Sequence, residues 1–243
     1  MSENIAAVIV AAGKGERMQA SIPKAFLKLC GRPLFTYSLA TFMQVKAVSK
    51  YVVVVPENKI KNTRDICSKF FGDKQTKRIN IVKGGDCRQV SVENALKALS
   101  SDTAWVLIHD AARPLVDNKL IKRVIDNTKQ YGAAVPGIKA VDTLKKINLR
   151  ENLGSTVNRD SILYVQTPQG FRLTTLRKAY MQARQKSLFA TDDASLIQAL
   201  GKPVKVVLGS PLNFKVTFPE DKILTTAILN YKRKKNVENR SRL

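Results

Sequence analysis

The sequence is poor in the residues that build disulfide frameworks and metal centres. Its 243 residues include three cysteines, Cys30, Cys67 and Cys87, and a single histidine, His109. An odd number of widely spaced cysteines outside any CxxC pair argues against a disulfide framework or a zinc site and is typical of a reducing cytosol. A lone histidine without an evident partner gives no Ser-His-Asp or Cys-His nucleophile. We therefore expect a cytoplasmic protein that holds no metal ion with its own side chains.

Long apolar runs are also missing. No stretch approaches the length of a membrane span, and Met1–Asn4 lacks the basic start of a signal peptide. Hydrophobic residues make up 44% and charged residues 25% of the chain, which excludes the disordered and fibrous classes. The sequence contains no internal repeat, linker or low-complexity segment. We therefore predict one domain over residues 1–243 with no membrane partner.

Acidic residues are scarce relative to basic ones. The chain has 19 Asp and Glu against 42 Lys and Arg, a net charge of +23. Such a balance fits a nucleic-acid-binding protein, or an enzyme that handles polyanionic small molecules. The basic residues are scattered apart from one dense run, Lys232–Lys235. Because no aromatic-interleaved basic strand, helix-turn-helix or zinc finger is present, we expect no specific nucleic-acid partner.

Apolar runs and helical periodicities alternate along most of the chain. We predict strands at 5–12, 50–56, 78–82, 104–108, 133–138, 203–208 and 213–218. We predict helices at 33–45, 58–71, 88–99, 118–131, 174–186, 192–200 and 219–234. Strands separated by helices of this length imply right-handed crossovers. The expected fold is therefore Rossmann-like α/β, with a mostly parallel sheet and helices on both faces.

The alternation breaks at about residues 139–160. Two short and fairly polar strands are predicted there, at 142–147 and 155–157, around Asn152–Gly154. A polar hairpin that protrudes from an α/β core cannot bury a face by itself. We therefore expect this β-arm to pack on a second subunit.

A glycine-rich turn follows the first predicted strand. The strand Ile5–Ala12 runs into Gly13–Arg17, and Lys24 follows Pro23. Glycines after a buried strand let the backbone approach a ligand closely, and the flanking cations suit a polyphosphate. Neither common nucleotide motif fits, because no G-x-x-x-x-G-K-[ST] occurs and Met18 replaces the third glycine of G-x-G-x-x-G. A turn with solvated basic residues is the alternative reading of this stretch alone.

Four loops are expected to meet at the carboxyl edge of the sheet, where open parallel sheets bind ligands. These are 13–17, 84–88, 109–114 and 215–217. They carry several cations, a few carboxylates and no evident nucleophile, and we interpret His109 as structural. Such a set suits phosphoryl or nucleotidyl transfer, in which positioning and charge stabilisation supply most of the rate. Mg²⁺ would arrive with the phosphates.

The motifs resemble those of a known family. Ala11–Met18 with Pro23-Lys24 is similar to the AAGxGxRM…PK signature of sugar-nucleotide pyrophosphorylases and cytidylyltransferases. Further motifs follow in order: GGDCR at 84–88, Ser91-Val92, HDAARP at 109–114, DTLK at 142–145, TPQ at 167–169 and KVT at 215–217. The ordered set, from Ile5 to about Asp221, resembles the 2-C-methyl-D-erythritol 4-phosphate cytidylyltransferases of the non-mevalonate isoprenoid pathway.

The resemblance implies an enzyme that transfers a cytidylyl group from CTP to 2-C-methyl-D-erythritol 4-phosphate, with Mg²⁺, as a homodimer. It implies that the catalytic residues are Arg17, Lys24 and Lys215. Arg17 and the loop between Gly13 and Gly15 would hold the triphosphate. The two lysines would stabilise charge as the acceptor phosphate attacks the α-phosphorus.

The resemblance also assigns binding residues. Cytosine would be read by the backbone near Ala11 and Ala12 together with Gly85, Asp86 and Ser91. The residues expected near the methylerythritol phosphate are Asp110, Arg113 and Thr217. On the β-arm, Thr143 and Arg159 would reach the substrate site of the neighbouring subunit.

Two other functions stay open. Within the same class, the acceptor could be a pentitol phosphate such as ribitol 5-phosphate. From another class, the basic surface could belong to a nucleic-acid-binding protein. The HDAARP and DTLK motifs favour methylerythritol phosphate as the acceptor.

Overall fold

A mostly parallel sheet forms the centre of the molecule. The computed structural model describes residues 4–13, 15, 18 and 22–240, with side chains up to residue 235. The strands lie at Asn4–Val10 (β1), Lys28–Leu29 (β2), Arg32–Pro33 (β3), Val48–Val55 (β4), Ile79–Lys83 (β5), Thr103–Asp110 (β6), Ala133–Lys139 (β7), Leu144–Ile147 (β8), Leu153–Val157 (β9), Leu163–Val165 (β10), Gln169–Arg172 (β11) and Lys205–Leu208 (β12). The helices lie at Leu34–Met43 (α1), Ile60–Phe71 (α2), Asp73–Thr76 (α3), Arg88–Lys97 (α4), Asn118–Tyr131 (α5), Leu173–Gln185 (α6), Asp193–Ala199 (α7) and Pro219–Arg240 (α8).

The strand order places β1 near the middle of the sheet. β1 pairs in parallel with β4 and β6, and β4 pairs in parallel with β5. β11 runs antiparallel to β6 and also pairs with β7, which in turn pairs with β10 and β12. The ends of β1, β5 and β6 therefore open on the same edge.

Alternate residues of β1 face two separate cores. Ile5, Ala7 and Ile9 pack on one side with side chains of α1, α2 and α5. Ala6 and Val8 pack on the other side with side chains of α4, α6 and α7. A strand buried on both faces is apolar throughout, so β1 could be predicted from its continuous apolar sequence. The predicted parallel sheet with helices on both faces is confirmed.

The predicted hairpin is present as a separate two-stranded sheet. β8 and β9 pair antiparallel with each other. Ile147 and Leu153 are 70% and 77% exposed, so this hairpin leaves apolar side chains in solvent within one chain.

The predicted strand at 213–218 is wrong. Val216 N–H donates to the carbonyl of Ala112 at 2.8 Å, and the segment forms no ladder. The amides of Thr217 and Phe218 instead donate to the Asp221 carboxylate at 2.6 and 2.8 Å. The alternation of apolar and polar residues in this segment therefore serves the start of α8, as helix-capping bonds do.

Two strands next to the site were missed. β10 and β11 have three and four residues and flank the polar stretch Gln166–Pro168. Their signal was weak because Gln169 and Gly170 have low strand propensity. A Cβ on Gly170 would overlap the Thr128 side chain, so this glycine lets α5 approach the sheet closely. The strand predicted from Pro203 begins only at Lys205.

Candidate active site

A cavity of about 770 Å³ lies at the carboxyl ends of β1, β5 and β6. Its wall includes Gly13, Gly15, Lys24, Gly84–Ser91 in part, Asp110 and Lys215, and we call it the glycine-loop cavity. These residues come from segments that each directly follow a strand, apart from Lys24 and Lys215. The strand topology alone therefore brings most of this wall together, as in other open parallel sheets.

Glycine is required at several places on this wall. Gly15 has φ +73°, and a Cβ there would lie 2.6 Å from the Cβ of Lys24. A Cβ on Gly84 would overlap the Cβ of Ala12 and lie 3.1 Å from Ser91 Oγ. Only a residue without a side chain keeps the cavity open at these positions.

The segment after β1 and the loop after β5 both contribute to the cavity wall, and we call the part lined by Ala12, Asp86 and Ser91 the slot. Gly85 N–H donates to Ser91 Oγ at 3.0 Å, which ties the loop after β5 to the first turns of α4. Backbone groups and the small Ser91 hydroxyl can form hydrogen bonds with the edge of a planar base.

Lys24 and Lys215, which are distant in sequence, line this one cavity. Lys24 begins a short 3₁₀ turn, Lys24–Phe26, and Lys215 lies in the irregular segment before α8. Lys215 Nζ donates to Asp110 Oδ2 at 2.9 Å. Both lysines therefore line the same cavity, as a shared phosphate group requires.

Asp110 is held between two cations. Its Oδ1 accepts from Arg88 Nε at 3.2 Å, while Oδ2 accepts from Lys215. Burial by itself raises the pKa of the Asp110 carboxyl, but the charges of Arg88 and Lys215 outweigh it and hold that pKa well below its ordinary value. Asp110 is therefore an ionised anchor for two cations.

A second cavity, of about 720 Å³, opens on the other side of the same charged residues. We call it the Arg113 cavity. The residues common to both cavities are Arg88, Asp110 and Lys215. Its wall also includes Arg113, Thr167 and Thr191. Two cavities that meet at a strip of two cations and one carboxylate can bring two anionic ligands together.

Arg113 is fixed by backbone carbonyls. Its Nη1 donates to Asn213 O at 2.8 Å and its Nη2 to Val165 O at 3.4 Å. Burial lowers the pKa of this guanidinium from its ordinary value. Arginine stays charged even so, and Arg113 therefore gives this cavity a fixed positive charge.

His109 is fully buried with both ring nitrogens bonded. The Arg113 carbonyl oxygen beside Nε2 can only accept, so Nε2 carries the ring proton and Nδ1 of the neutral ring accepts from the Thr167 hydroxyl at 3.1 Å. His109 Nε2 then donates to Arg113 O at 3.2 Å. Burial lowers the pKa of this imidazole to about 4. A neutral ring that orients the residues around it agrees with the structural role inferred from the sequence.

The sequence is similar to those of known enzymes. A family model described as 2-C-methyl-D-erythritol 4-phosphate cytidylyltransferase matches residues 5–231. A protein of that name from Clostridium botulinum (strain Langeland) is 42% identical over 229 residues, which cover 94% of this chain and 98% of the relative. One from Desulforamulus reducens is 40% identical over 226 residues, with 93% and 96% covered.

This chain belongs to the 2-C-methyl-D-erythritol 4-phosphate cytidylyltransferase family. The resemblance inferred from the ordered motifs is confirmed.

Solved structures of the cytidylyltransferase family share the fold. The 4-diphosphocytidyl-2C-methyl-D-erythritol synthase of Anaerococcus prevotii is 30% identical with a TM-score of 0.81, covering 95% of this chain and 100% of that one. The cytidylyltransferase of Thermus thermophilus is 36% identical with a TM-score of 0.76, covering 92% and 98%. The predicted Rossmann-like α/β class is that of these cytidylyltransferases.

Most of the predicted site residues meet at the two cavities. The glycine-loop cavity brings together Lys24, Lys215, Asp110 and the predicted nucleotide-binding residues Ala11, Ala12, Gly13, Gly15, Gly85, Asp86 and Ser91. Arg113 lies on the other cavity. Arg17 lies outside the described residues, so its catalytic role stays a prediction.

Three predicted substrate-binding residues are absent from the described walls of both cavities. Thr143 and Arg159 are exposed on the β-arm, where Arg159 Nη1 donates to Val141 O at 2.7 Å. Thr217 lies at the start of α8, and its hydroxyl donates to Lys215 O at 3.0 Å. Their roles in substrate binding stay predictions.

Sequence reasoning missed Arg88 and Asp193. Arg88 closes the GGDCR motif and lines both cavities, and its Nη2 donates to Asp193 Oδ2 at 2.8 Å. The motif was noticed, but its arginine received no role. Asp193, 105 residues away, gave no local signal apart from its place at the start of α7.

Two properties of the described residues concern membranes and metal ions. Within that part of the chain, no helix combines the length and apolar composition needed to cross a bilayer. The same residues contain no cluster of three or more His, Cys, Asp or Glu side chains arranged to hold a metal ion.

Proposed function

We propose that this protein transfers a cytidylyl group from CTP to 2-C-methyl-D-erythritol 4-phosphate and releases pyrophosphate. Family membership supports the reaction class and both substrates. The observation that carries the proposal is the meeting of two cavities at Arg88, Asp110 and Lys215. One cavity takes CTP and the other takes the acceptor, so their phosphates meet along this strip.

The chemistry needs charge stabilisation more than a nucleophilic side chain. An oxygen of the acceptor phosphate attacks the α-phosphorus of CTP, and the bond from that phosphorus to the bridging oxygen of the β-phosphate breaks. Lys24 and Lys215 reach this phosphorus from the wall of the glycine-loop cavity. Fixed cations stabilise the charge that builds up on the phosphoryl oxygens in the transition state. Arg17 is the third catalytic residue of the proposal and holds the β- and γ-phosphates.

Backbone contacts bind the nucleotide. Cytosine enters the slot lined by Ala12, Asp86 and Ser91, where the Gly85 backbone and the Ala11 segment offer polar edges. The triphosphate lies along Gly13 and Gly15. Because Cβ atoms at Gly15 and Gly84 would crowd their neighbours, the cavity keeps a backbone surface that phosphates and a base can approach closely.

Side chains bind the acceptor. Arg113 supplies a fixed guanidinium to the acceptor phosphate, and Asp110 orients the cations around it. Thr217 supports this side through its bond to the Lys215 carbonyl. Guanidinium groups suit phosphate because their N–H groups match its oxygens in pairs.

Mg²⁺ is the cofactor of the proposal, held mainly by the triphosphate. The donor set fits this mode, because the described wall of the glycine-loop cavity offers the Asp86 carboxylate, whereas Asp110 already binds Arg88 and Lys215. Mg²⁺ commonly takes one or two carboxylates plus substrate phosphates. When bound, the ion neutralises charge on the phosphate oxygens.

A homodimer completes the proposal. The apolar side chains left exposed on the β-arm, among them Ile147 and Leu153, would be buried against a second copy. Thr143 and Arg159 would then approach the neighbour's Arg113 cavity. The cytoplasmic location inferred from cysteine usage stays a prediction.

Turnover assays test the acceptor directly. Radiolabelled CTP and Mg²⁺ are offered with methylerythritol phosphate or with ribitol 5-phosphate. We expect a labelled CDP-alcohol and pyrophosphate with the former, formed roughly 100- to 1000-fold more slowly by the Lys215→Ala variant. Turnover of ribitol 5-phosphate alone would contradict the assignment.

A salt titration with RNA and DNA tests the nucleic-acid alternative. We expect weak binding without sequence preference that disappears at moderate salt, because the basic residues are spread over the surface.

A further inference from the structure

Asp193 is a fully buried carboxylate behind the candidate active site. It lies on the first turn of α7, and its side chain is 0% exposed. It is absent from the described walls of both cavities. A buried carboxylate is costly unless charged and polar partners satisfy it. Asp193 therefore needs partners within the protein.

Two donors satisfy this carboxylate. Tyr180 Oη donates to Asp193 Oδ1 at 2.5 Å, and Arg88 Nη2 donates to Oδ2 at 2.8 Å. Burial and the neighbouring Asp193 charge raise the pKa of Tyr180 well above its ordinary value, so its hydroxyl keeps its proton. Tyr180 therefore orients Asp193, and Asp193 presents one oxygen to Arg88.

Arg88 joins this buried pair to the site. Its Nε donates to Asp110 Oδ1 at 3.2 Å, and the guanidinium lies on the wall of both cavities. Among the described residues, no hydrogen bond is made by its Nη1, which leaves two N–H groups for a ligand. Nε and Nη2 of the Arg88 guanidinium are thus bonded to carboxylates, and Nη1 can donate to a phosphate.

The two carboxylates that hold Arg88 differ in their surroundings. Asp110 lines the cavities and also binds Lys215, so arriving phosphates compete for both of its cations. Asp193 sits off the cavities with Tyr180 behind it, and no ligand that fills them displaces it. Of the two carboxylates that bind Arg88, Asp193 is therefore the one that keeps its position when the cavities fill.

We propose that Asp193, oriented by Tyr180, is a positioning residue that fixes the Arg88 guanidinium where the two cavities meet, so that Arg88 stabilises charge on the reacting phosphates. The inference rests on the proposed cytidylyl transfer. It adds Arg88 to the residues that touch substrate and gives Asp193 a role through Arg88.

Kinetics of Asp193→Leu provide the main test. Leucine has the same branched shape, with two methyl groups in place of the carboxylate oxygens, and offers no acceptor to Arg88. We expect kcat to fall roughly 10- to 100-fold, the cost typical of a misplaced group, with a smaller change in the CTP Kd measured by calorimetry. Asp193→Asn and Tyr180→Phe, which disturb packing less, should lower kcat in the same direction by smaller factors.

A double-mutant cycle separates positioning from a general effect on folding. Arg88→Met with Asp193→Leu removes both members of the Arg88–Asp193 pair, so neither charge of that pair is left without its partner, and Asp110 loses Arg88 equally in the single and double Arg88→Met variants. If Asp193 acts through Arg88, adding Asp193→Leu to Arg88→Met should change kcat less than about twofold. All variants are assayed below their thermal midpoints.

Asp102→Leu is the matched control. Asp102 is an exposed carboxylate that pairs with Lys50 at 2.5 Å, just before β6, whereas Asp110 ends that strand. This variant should keep wild-type kinetics.

Crystal structures of the wild type and Asp193→Leu give a readout that does not depend on turnover. We expect the Arg88 guanidinium to leave its place beside residue 193 in the variant. An unmoved Arg88, a kcat within about twofold of wild type, or a full additional loss on the Arg88→Met background would each overturn the inference. A wild-type protein without cytidylyl transfer would instead overturn the proposed function, and the position of Arg88 would still test the positioning role.

Discussion

The two cavities are built by different means. The glycine-loop cavity is lined by four glycines and other residues near the ends of β1, β5 and β6, together with Lys24 and Lys215. The Arg113 cavity is walled by side chains whose bonds join distant segments, as when Arg113 binds the carbonyl of Asn213. The first therefore depends on the absence of side chains at a few glycines, and the second on hydrogen bonds between buried polar groups of distant segments.

Gln166 shows how the second cavity is held. Its Nε2 donates to Ser210 O at 2.8 Å, and its Oε1 accepts from Ser210 N–H at 3.1 Å. Asn213 Nδ2 donates to Thr167 O at 2.8 Å from the same loop. The irregular segment that carries Lys215 is thus fixed by side-chain amides in place of a strand ladder. Mutations in the two cavities should consequently change different properties of the enzyme.

The largest effect is expected at the two lysines that line the glycine-loop cavity. Lys24→Ala and Lys215→Ala should each lower kcat by roughly 100- to 1000-fold, because a lost cation no longer stabilises the transition state. Steady-state kinetics with CTP calorimetry measure this, and we expect the CTP Kd to change far less. Lys97→Ala, which removes an exposed lysine paired with Glu93 on α4, is the control. Near-normal kcat in either site variant would rule out that lysine as a catalytic residue.

The next effect is on stability and concerns the buried polar set around the Arg113 cavity. Burial lowers the pKa of His109 from 6.5 to about 4, so the unfolded chain binds the proton more readily. Its contribution to the free energy of unfolding is complete above pH 6.5 and is lost as pH falls toward 4. The loss amounts to about 3 kcal/mol.

Urea midpoints at pH 7 and pH 4.5 measure this loss, with His109→Gln as the reference that removes the imidazole. His109 is the only histidine in the chain, so ¹⁵N NMR also reports its tautomer without ambiguity. We expect a neutral ring with the proton on Nε2 from pH 5 to 9. An imidazole that titrates near pH 6.5 would contradict the buried bonding pattern.

A Cβ at Gly84 should harm only the glycine-loop cavity. Gly84→Ala pushes on Ala12 and Ser91, at a cost of about 2 kcal/mol typical of overpacking. We expect the KM for CTP to rise and the KM for the acceptor to stay near wild type, because Ala12 and Ser91 line only the glycine-loop cavity. Gly137→Ala is the matched control, because a Cβ there would meet its neighbours at 3.5 Å, an ordinary contact. An equal rise in both KM values would show that the two cavities are not separable.

Gln166→Ala should give the smallest change and the opposite preference. It leaves the Ser210 backbone groups without their partner, a cost of about 1 kcal/mol or more. We expect kcat/KM for the acceptor to fall roughly tenfold while the CTP Kd stays within about twofold. Asn94→Ala, which removes a single bond from an exposed amide to Lys83 O, is the control. A loss confined to CTP binding would contradict the division.

The same contrast explains what the sequence could reveal. Gly13, Gly15 and Gly85 each follow an apolar run within a few residues, so their place at the sheet edge could be predicted from local pattern and topology. Lys215 was found through its motif, although the strand predicted around it does not exist. The alternation of apolar and polar residues at 213–218 is the same pattern that a half-buried strand has, although this segment forms loop bonds and bonds at the start of α8.

The missed residues depend on pairings between distant segments. Arg88 and Asp193 are 105 positions apart, and Gln166 and Ser210 are 44 apart. No periodicity marks such pairs, because each partner lies at the start of a helix or in a loop. Burial and hydrogen bonding became visible only once the chain was folded.

A crystal structure of the protein with CTP, Mg²⁺ and the acceptor phosphate tests the central claim most directly. We predict that Nζ of Lys24 and Nζ of Lys215 both lie within hydrogen-bonding distance of oxygens on the α-phosphate, with the acceptor phosphate in the Arg113 cavity. A complex in which the two lysines bind different phosphates, or in which the acceptor shares the glycine-loop cavity with CTP, would contradict the account.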